Sequence, residues 1–232
     1  MDSIYYDRLT KDNCAMLMID HQTGTMLGVQ DIKLSEFRSN VLALAKTAKM
    51  HDLPTILTAS FAEGPNGPLM EELTAMFPDA PTIYRPGPIS AWDDPNFVQA
   101  VETTGRKKLI MSGVTTDVCL MFPALQAKAQ GYDVYAVYDC SGCWDQMSEM
   151  MSCMRMVQAG IKVVNWAAIT ADLQADWRRP TAAGTLDVFH QHLPFYNFLS
   201  NNQNALKNGI PGLNAPKSDS VDNGEKIVTT TN

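Results

Sequence analysis

Cys119 closes the run Leu109-Ile110-Met111-Ser112-Gly113-Val114-Thr115-Thr116-Asp117-Val118-Cys119. An apolar strand, a small-residue turn and a helix start place its thiol at a helix N-terminus, where the partial positive charge favours thiolate over thiol. A thiolate is the nucleophile of cysteine chemistry, and it requires a base to take its proton and a charged partner to hold that base. Two residues at strand ends can serve: Asp20, which ends the nearly apolar run Cys14-Ala-Met-Leu-Met-Ile-Asp20, and Arg85, which ends a run near Pro81 to Tyr84. Singly each is a weak signal, because an aspartate after a strand is often a turn former and a cysteine is most often a small buried hydrophobe. Together they describe nucleophile, base and charge partner.

Short apolar runs alternate with helical periodicity along the chain. Strands are predicted at Cys14 to Asp20, Thr55 to Thr58, Pro81 to Tyr84, Lys108 to Ser112, Tyr132 to Tyr138 and Lys162 to Asn165. Helices are predicted at Leu34 to His51, Leu69 to Met76, Pro95 to Thr103, Val118 to Gln130, Gln146 to Ala159 and Ala167 to Ala175. Runs apolar on both faces belong to sheets covered on both sides, so the pattern implies an α/β doubly wound, six-stranded, mostly parallel sheet. In the common order 3-2-1-4-5-6, strands 1 and 4 are neighbours at the point where the ligand crevice opens. Asp20 and Cys119 both end there. Arg85, two strands away, can reach the crevice with a long side chain.

The 232 residues, 45% hydrophobic, suffice for one substantial core, and the composition implies one domain over 1–200. From Asn201 the sequence is rich in Asn, Ser, Gly, Pro and Thr with no aromatic residue, and residues 201–232 are expected to be a disordered tail. A formal net charge of -7 argues against nucleic acid or anionic membrane as partner. No apolar stretch approaches the roughly 20 residues that span a bilayer. Met1 to Asn13 lacks a basic region followed by an apolar core, and five cysteines fit a reducing compartment, so a cytoplasmic protein acting on a small molecule is expected.

Three motifs carry a resemblance. Met18-Ile19-Asp20-His21-Gln22, Tyr84-Arg85-Pro86-Gly87 followed by Ser90-Ala91-Trp92-Asp93, and Ser112-Gly113-Val114-Thr115-Thr116-Asp117-Val118-Cys119 resemble the isochorismatase-like cysteine hydrolases. Ser60-Phe61, Gly64-Pro65-Asn66-Gly67-Pro68-Leu69 and the stretch Asp172 to Arg179 extend the likeness to the YcaC-type branch, over roughly residues 5 to 200. The resemblance implies that Asp20 takes the proton of Cys119, that Cys119 attacks a small amide or related C–N centre, and that a thioester is then resolved by water. It also implies a cis peptide at Val114-Thr115, with the N–H groups of Thr115 and Cys119 facing the developing oxyanion. The family's basic residue is usually lysine, whereas Arg85 stands here; its planar fork can pin Asp20 bidentately. A homo-oligomer is implied, with an octamer as one form and neighbouring subunits walling the pocket. Gln22, Phe61, Asn66 and Trp92 are the candidate pocket residues.

Other features have blander readings. Nicotinamidases hold a metal after strand 2, but Thr58-Ala59-Ser60-Phe61 carries no imidazole, so neither metal nor other cofactor is expected. His190 and His192 suit aromatic packing better than metal binding, and His21 is expected to point away from Asp20. Lys107 and Lys108 belong at the opposite sheet edge as a solvated charge pair. Cys140-Ser-Gly-Cys143 permits redox cycling, with an incidental turn as the commoner reading. Met147, Met150, Met151, Met154 and Met156 cover more than one narrow face of a helix, which indicates core or interface. The turn after strand 1 lacks the G-x-G-x-x-G of a dinucleotide site. Beside the hydrolase stands a second reading, a catalytically silent oligomeric binding or scaffold protein of the same fold.

Overall fold

The computed structural model describes residues 6–208. In chain order the elements are β1 (Cys14–Ile19), α1 (Thr23–Met26), α2 (Leu34–Met50), β2 (Thr55–Ser60), α3 (Glu71–Met76), β3 (Thr82–Arg85), α4 (Pro95–Thr103) and β4 (Lys108–Gly113). They continue with α5 (Met121–Ala129), β5 (Asp133–Val137), α6 (Gln146–Gln158), β6 (Lys162–Val164), α7 (Trp166–Gln174), α8 (Ala182–His192) and α9 (Pro194–Asn208). The six strands form one sheet in the order β3-β2-β1-β4-β5-β6, and every pairing is parallel.

The period of two along β1 explains its uniform burial. Cys14, Met16 and Met18 join Phe37, Val41 and Leu44 of α2, Ile169 and Leu173 of α7, and Phe189 of α8. Ala15, Leu17 and Ile19 face Phe97 and Val101 of α4, Ala124 and Ala127 of α5, and Met156 of α6. Each fully buried Leu, Ile or Met side chain contributes about 1.5–3 kcal/mol, so two filled layers hold the central strands firmly. Asp94 caps α4 by accepting from the N–H groups of Asn96 (2.8 Å) and Phe97 (3.4 Å), with Pro95 at the first helical position.

Several sequence expectations are corrected here. Helices α8 and α9 were not legible, and α9 runs to Asn208, eight residues into the expected tail; residues 209–232 lie outside the described residues. Tyr196 anchors α9 against Phe189, ring centroids 5.0 Å apart, and once nucleated there the helix extends through polar residues. Lys108 does lie at the far sheet edge, but it is buried, paired with Asp7 Oδ2 at 2.7 Å and donating to the Arg8 carbonyl at 2.7 Å. His192 packs edge-on against Trp166 and His190 against Tyr196, in line with aromatic packing.

Candidate active site

Asp20 is the first residue past β1. Its φ of +58° is sparsely populated for a residue with a Cβ, and Phe61, first past β2, has φ +44°. The turn is pinned on several sides: Asp20 N–H donates to the Thr58 carbonyl (2.9 Å), Gln22 N–H to the Asp20 carbonyl (2.7 Å), and Thr25 Oγ1 to the same carbonyl (3.0 Å). These bonds fix the turn from which the carboxylate projects.

Arg85 ends β3 opposite Ser60 of β2, and its side chain is completely buried. The guanidinium crosses over β2: Nε donates to Thr58 Oγ1 (2.9 Å), Nη1 to the carbonyls of Pro88 and Ile89 (2.8 Å each), and Nη2 to Asp20 Oδ1. The expected bidentate clamp is absent. One nitrogen serves the carboxylate, because the rest of the fork is committed to Thr58 and to the loop that follows β3. Thr58 was missed as a contributor; the signal was a hydroxyl inside the otherwise apolar run Ile56 to Ala59.

Cys119 lies in a π-helical turn, Thr116–Leu120, that leads into α5. Such turns occur frequently at functional sites. Gly113 permits the close approach of this turn to β4, since a Cβ there would sit 3.0 Å from the Cys119 carbonyl carbon and oxygen. The Val114-Thr115 peptide is cis, as the resemblance implies. Thr115 Oγ1 donates to Asp117 Oδ1 at 2.5 Å. The Thr115 N–H has no backbone acceptor among the described residues and is directed at the Cys119 sulfur.

Sulfur, carboxylate and guanidinium thus converge from the ends of β4, β1 and β3. The electrostatics, however, correct the expected resting thiolate. Burial pushes the Cys119 thiol well above the ordinary thiol range, and the neighbouring Asp20 carboxylate pushes the same way, against smaller opposing contributions from Arg85 and the Thr115 N–H. A helix N-terminus is worth at most about 2 kcal/mol, too little to offset desolvation of a thiolate beside an anion. Burial also raises the Asp20 carboxyl, with the Arg85 charge and hydrogen bond acting to lower it. Asp20 Oδ2 has no partner of normal hydrogen-bond geometry. The thiol is near enough for the two groups to shift one another.

The other predicted residues divide. Gln22 is saturated by backbone: Nε2 donates to the carbonyls of Ser60 (3.0 Å) and Gly67 (2.6 Å), and Oε1 accepts from Ser60 N–H (2.9 Å). Asn66 Nδ2 donates to the Ser60 carbonyl at 2.8 Å. Both residues shape the loop 61–68 and leave little for a ligand. Phe61 is exposed and lines a cavity of about 310 Å³ with Ala62, Glu63, Tyr84, Arg85 and Pro86. Trp92 is not brought to the crevice; it is buried in the core between Phe97 and Tyr132, at 6.1 and 5.6 Å, because its 3-10 turn faces α4 and α5. His21 points away from the crevice and stacks on Phe37, and burial lowers its pKa to about 4. Cys140 and Cys143 are buried free thiols.

Comparison with known proteins agrees with this architecture. Residues 14–168 match the family described as Isochorismatase domain. The chain is 46% identical over 201 residues to the Probable hydrolase YcaC of Escherichia coli strain K12, covering 87% of this chain and 96% of that one. The YcaC structure from Pseudomonas aeruginosa with hexane-2,5-diol and covalent acrylamide superposes with a TM-score of 0.84 at 46% identity, over 87% of this chain and all of that one. The Escherichia coli YcaC structure, an octameric hydrolase of unknown specificity, gives 0.84 at 47% identity over 87% and 98% of the two chains. With the fold, the three-strand convergence and these likenesses in agreement, the chain belongs to the isochorismatase family.

Proposed function

We propose that this protein is a cysteine hydrolase of a small amide or related C–N substrate, with Cys119 as nucleophile, Asp20 as base and Arg85 as the charge that holds Asp20. The observation that carries the reading is the buried Arg85–Asp20 ion pair set beside a partly exposed thiol. With the thiol protonated at rest, the proton passes to Asp20 as sulfur attacks, so the base works during the step rather than before it. Attack forms a C–S bond and moves the carbonyl π pair onto oxygen, which the N–H groups of Thr115 and Cys119 receive. Collapse breaks the C–N bond, and the protonated Asp20 carboxyl returns its proton to the departing nitrogen. Water then gives a proton to Asp20 and attacks the thioester; the acid departs and the thiol regains its proton.

Two facts about relatives support this. YcaC of Escherichia coli carries the name probable hydrolase, and the Pseudomonas aeruginosa structure holds a covalent acrylamide. Acrylamide is an electrophile that thiolates add to. The expected result is that iodoacetamide or acrylamide modifies Cys119 faster than the other four thiols near neutral pH, and that Asp20→Asn slows the modification. Equal labelling of all five would remove the reading. Small amides, ureides and hydroxamates assayed with wild type and Cys119→Ala then identify the substrate.

Self-association belongs to the same reading. Met147, Met150, Met151, Met154 and Val157 form an exposed apolar stripe on α6, a surface suited to a second copy of the chain, and the related YcaC structure is octameric. Light scattering on Met150→Glu with Met154→Glu should report smaller particles than wild type. The scaffold alternative draws on the full engagement of Arg85 by four partners; Cys119→Ala retaining the biological role would favour it.

A further inference from the structure

The segment Cys140-Ser141-Gly142-Cys143 takes no direct part in the proposed chemistry, yet it bonds to both turns that carry it, through Cys140 and Gly142, and to the strand and chain beside them, through Ser141 and Cys143. The Cys140 carbonyl faces His21 Nε2 at 2.9 Å, next to Asp20. Ser141 Oγ accepts from the Gly113 N–H at 3.2 Å and donates to the Val137 carbonyl at 2.7 Å. The Gly142 carbonyl accepts from both the Thr116 N–H (2.8 Å) and Thr116 Oγ1 (3.0 Å), at the start of the Cys119 turn. The Cys143 carbonyl accepts from the Gln30 N–H at 2.8 Å, beyond the Asp20 turn.

We infer that this segment is a brace that sets the spacing between the Asp20 and Cys119 turns, with Ser141 and Thr116 as positioning residues; this deepens, and rests on, the cysteine-hydrolase reading. Past Gly113 the chain leaves β4, and Val114 N–H to the Ile19 carbonyl (3.1 Å) is its last backbone bond to β1. From there the two bonds that Thr116 donates to the Gly142 carbonyl hold the start of the π-helical turn. On the opposite flank the Asp20 turn is held by the loop 61–68, through Thr23 N–H to the Pro68 carbonyl (2.9 Å) and Gly24 N–H to the Asn66 carbonyl (2.8 Å). The brace supplies the flank that this loop does not reach. Its composition follows from the task. Gly142 has φ +64°, and a Cβ there would meet the Val29 methyls at 2.7 and 2.8 Å. Cys140 and Cys143 are small enough to be buried without displacing the turn, which accounts for the C-x-x-C spacing without redox chemistry.

The test is the alkylation rate of each cysteine by iodoacetamide, followed by mass spectrometry from pH 5 to pH 9. Thr116→Val keeps the side-chain shape and removes the hydroxyl; it should slow Cys119 by about threefold to tenfold, the worth of one hydrogen bond. Thr116→Ser should restore the rate to within about twofold, and Ser141→Ala should slow Cys119 to a similar extent. Partly exposed Cys153 should react unchanged, and buried Cys14, Cys140 and Cys143 should stay protected. Because the brace acts through the Asp20–Cys119 spacing, Thr116→Val should have little further effect in an Asp20→Asn background, a coupling that loss of stability alone does not produce. Wild-type rates in Thr116→Val and Ser141→Ala would overturn the brace while leaving the hydrolase reading intact. Faster labelling of the buried thiols would likewise overturn it, by showing general loosening. A wild-type Cys119 no faster than Cys153 would remove the hydrolase reading and the brace with it.

Discussion

The carboxyl edge of the sheet carries two regions of opposite character. At β1 and β4 a few polar groups converge, nearly all of them paired: Arg85 has four partners, and Asp20 lies between its guanidinium and the Cys119 thiol. At the ends of β5 and β6 opens a far larger cavity, about 730 Å³, whose lining includes Asp31, Glu36, Asp139, Glu149 and His192. None of its four carboxylates forms an ion pair among the described residues. There, burial raises Asp139 to about 6, and burial together with repulsion from Asp31 and Asp139 raises Glu149 to about 7. On the proposed reading, the contrast teaches that volume does not mark the chemistry. A nucleophile needs a base whose charge is held in place, and of the two regions the one with the Arg85–Asp20 pair offers it.

The sharpest way to break this comparison is by exchange of mutations between the regions. Asp20→Asn should slow Cys119 alkylation or turnover by about 10²–10⁴-fold, the usual worth of a general base. Asp139→Asn and Glu149→Gln should leave that rate within about twofold; a loss equal to that of Asp20→Asn would move the site to the larger cavity.

Arg85→Met leaves a buried carboxylate without its cation and should cost about 3–5 kcal/mol in urea unfolding. Arg85→Lys keeps the charge but cannot serve Thr58 and two loop carbonyls at once, so its loss should be smaller and its loop more open to proteolysis. Equal stability of wild type and Arg85→Met would mean the pair holds nothing together.

The pH dependence sharpens the picture further. In the proposed role Asp20 works as base only when ionised, and burial raises its pKa; the Cys119 rate should therefore fall on acidification through a midpoint above the ordinary carboxylate value. Asp20→Asn should abolish that acid limb. An unchanged limb in the variant would assign the titration elsewhere.

The smallest effect lies in the larger cavity. Glu149 titrates near 4.5 when free and at about 7 in the fold, so ionisation penalises the folded state progressively between those values. Glu149→Gln should raise Tm at pH 8, with the gain fading to nothing near pH 4.5. A gain that grows on acidification would reverse the assigned sign.

Much of this was legible in the residues. The run Cys14 to Asp20 announced a strand covered on both faces, and the alternation that follows it implied a mostly parallel sheet, in whose common order β1 lies beside β4. Helices α8 and α9 escaped notice because their stability comes from aromatic contacts such as Phe189 with Tyr196, which local periodicity does not reveal. Trp92 was misplaced because nearness to Arg85 in sequence says nothing about which face a 3-10 turn presents.

By itself the sequence determined the fold class and named three candidate residues at strand ends, since hydrophobic period and strand ends are local properties, while the strand order was expected only as the common arrangement and is shown by the sheet itself. Only tertiary structure decided their electrostatic state and their support. Burial of Cys119 beside Asp20 pushes the thiol pKa up rather than down. Reach across β2 gives Arg85 to Thr58 and to two loop carbonyls as well as to Asp20. Contact between distant turns makes a brace of residues 140–143. All three depend on desolvation and on hydrogen bonds between segments far apart in the chain, and those exist only once the sheet has assembled.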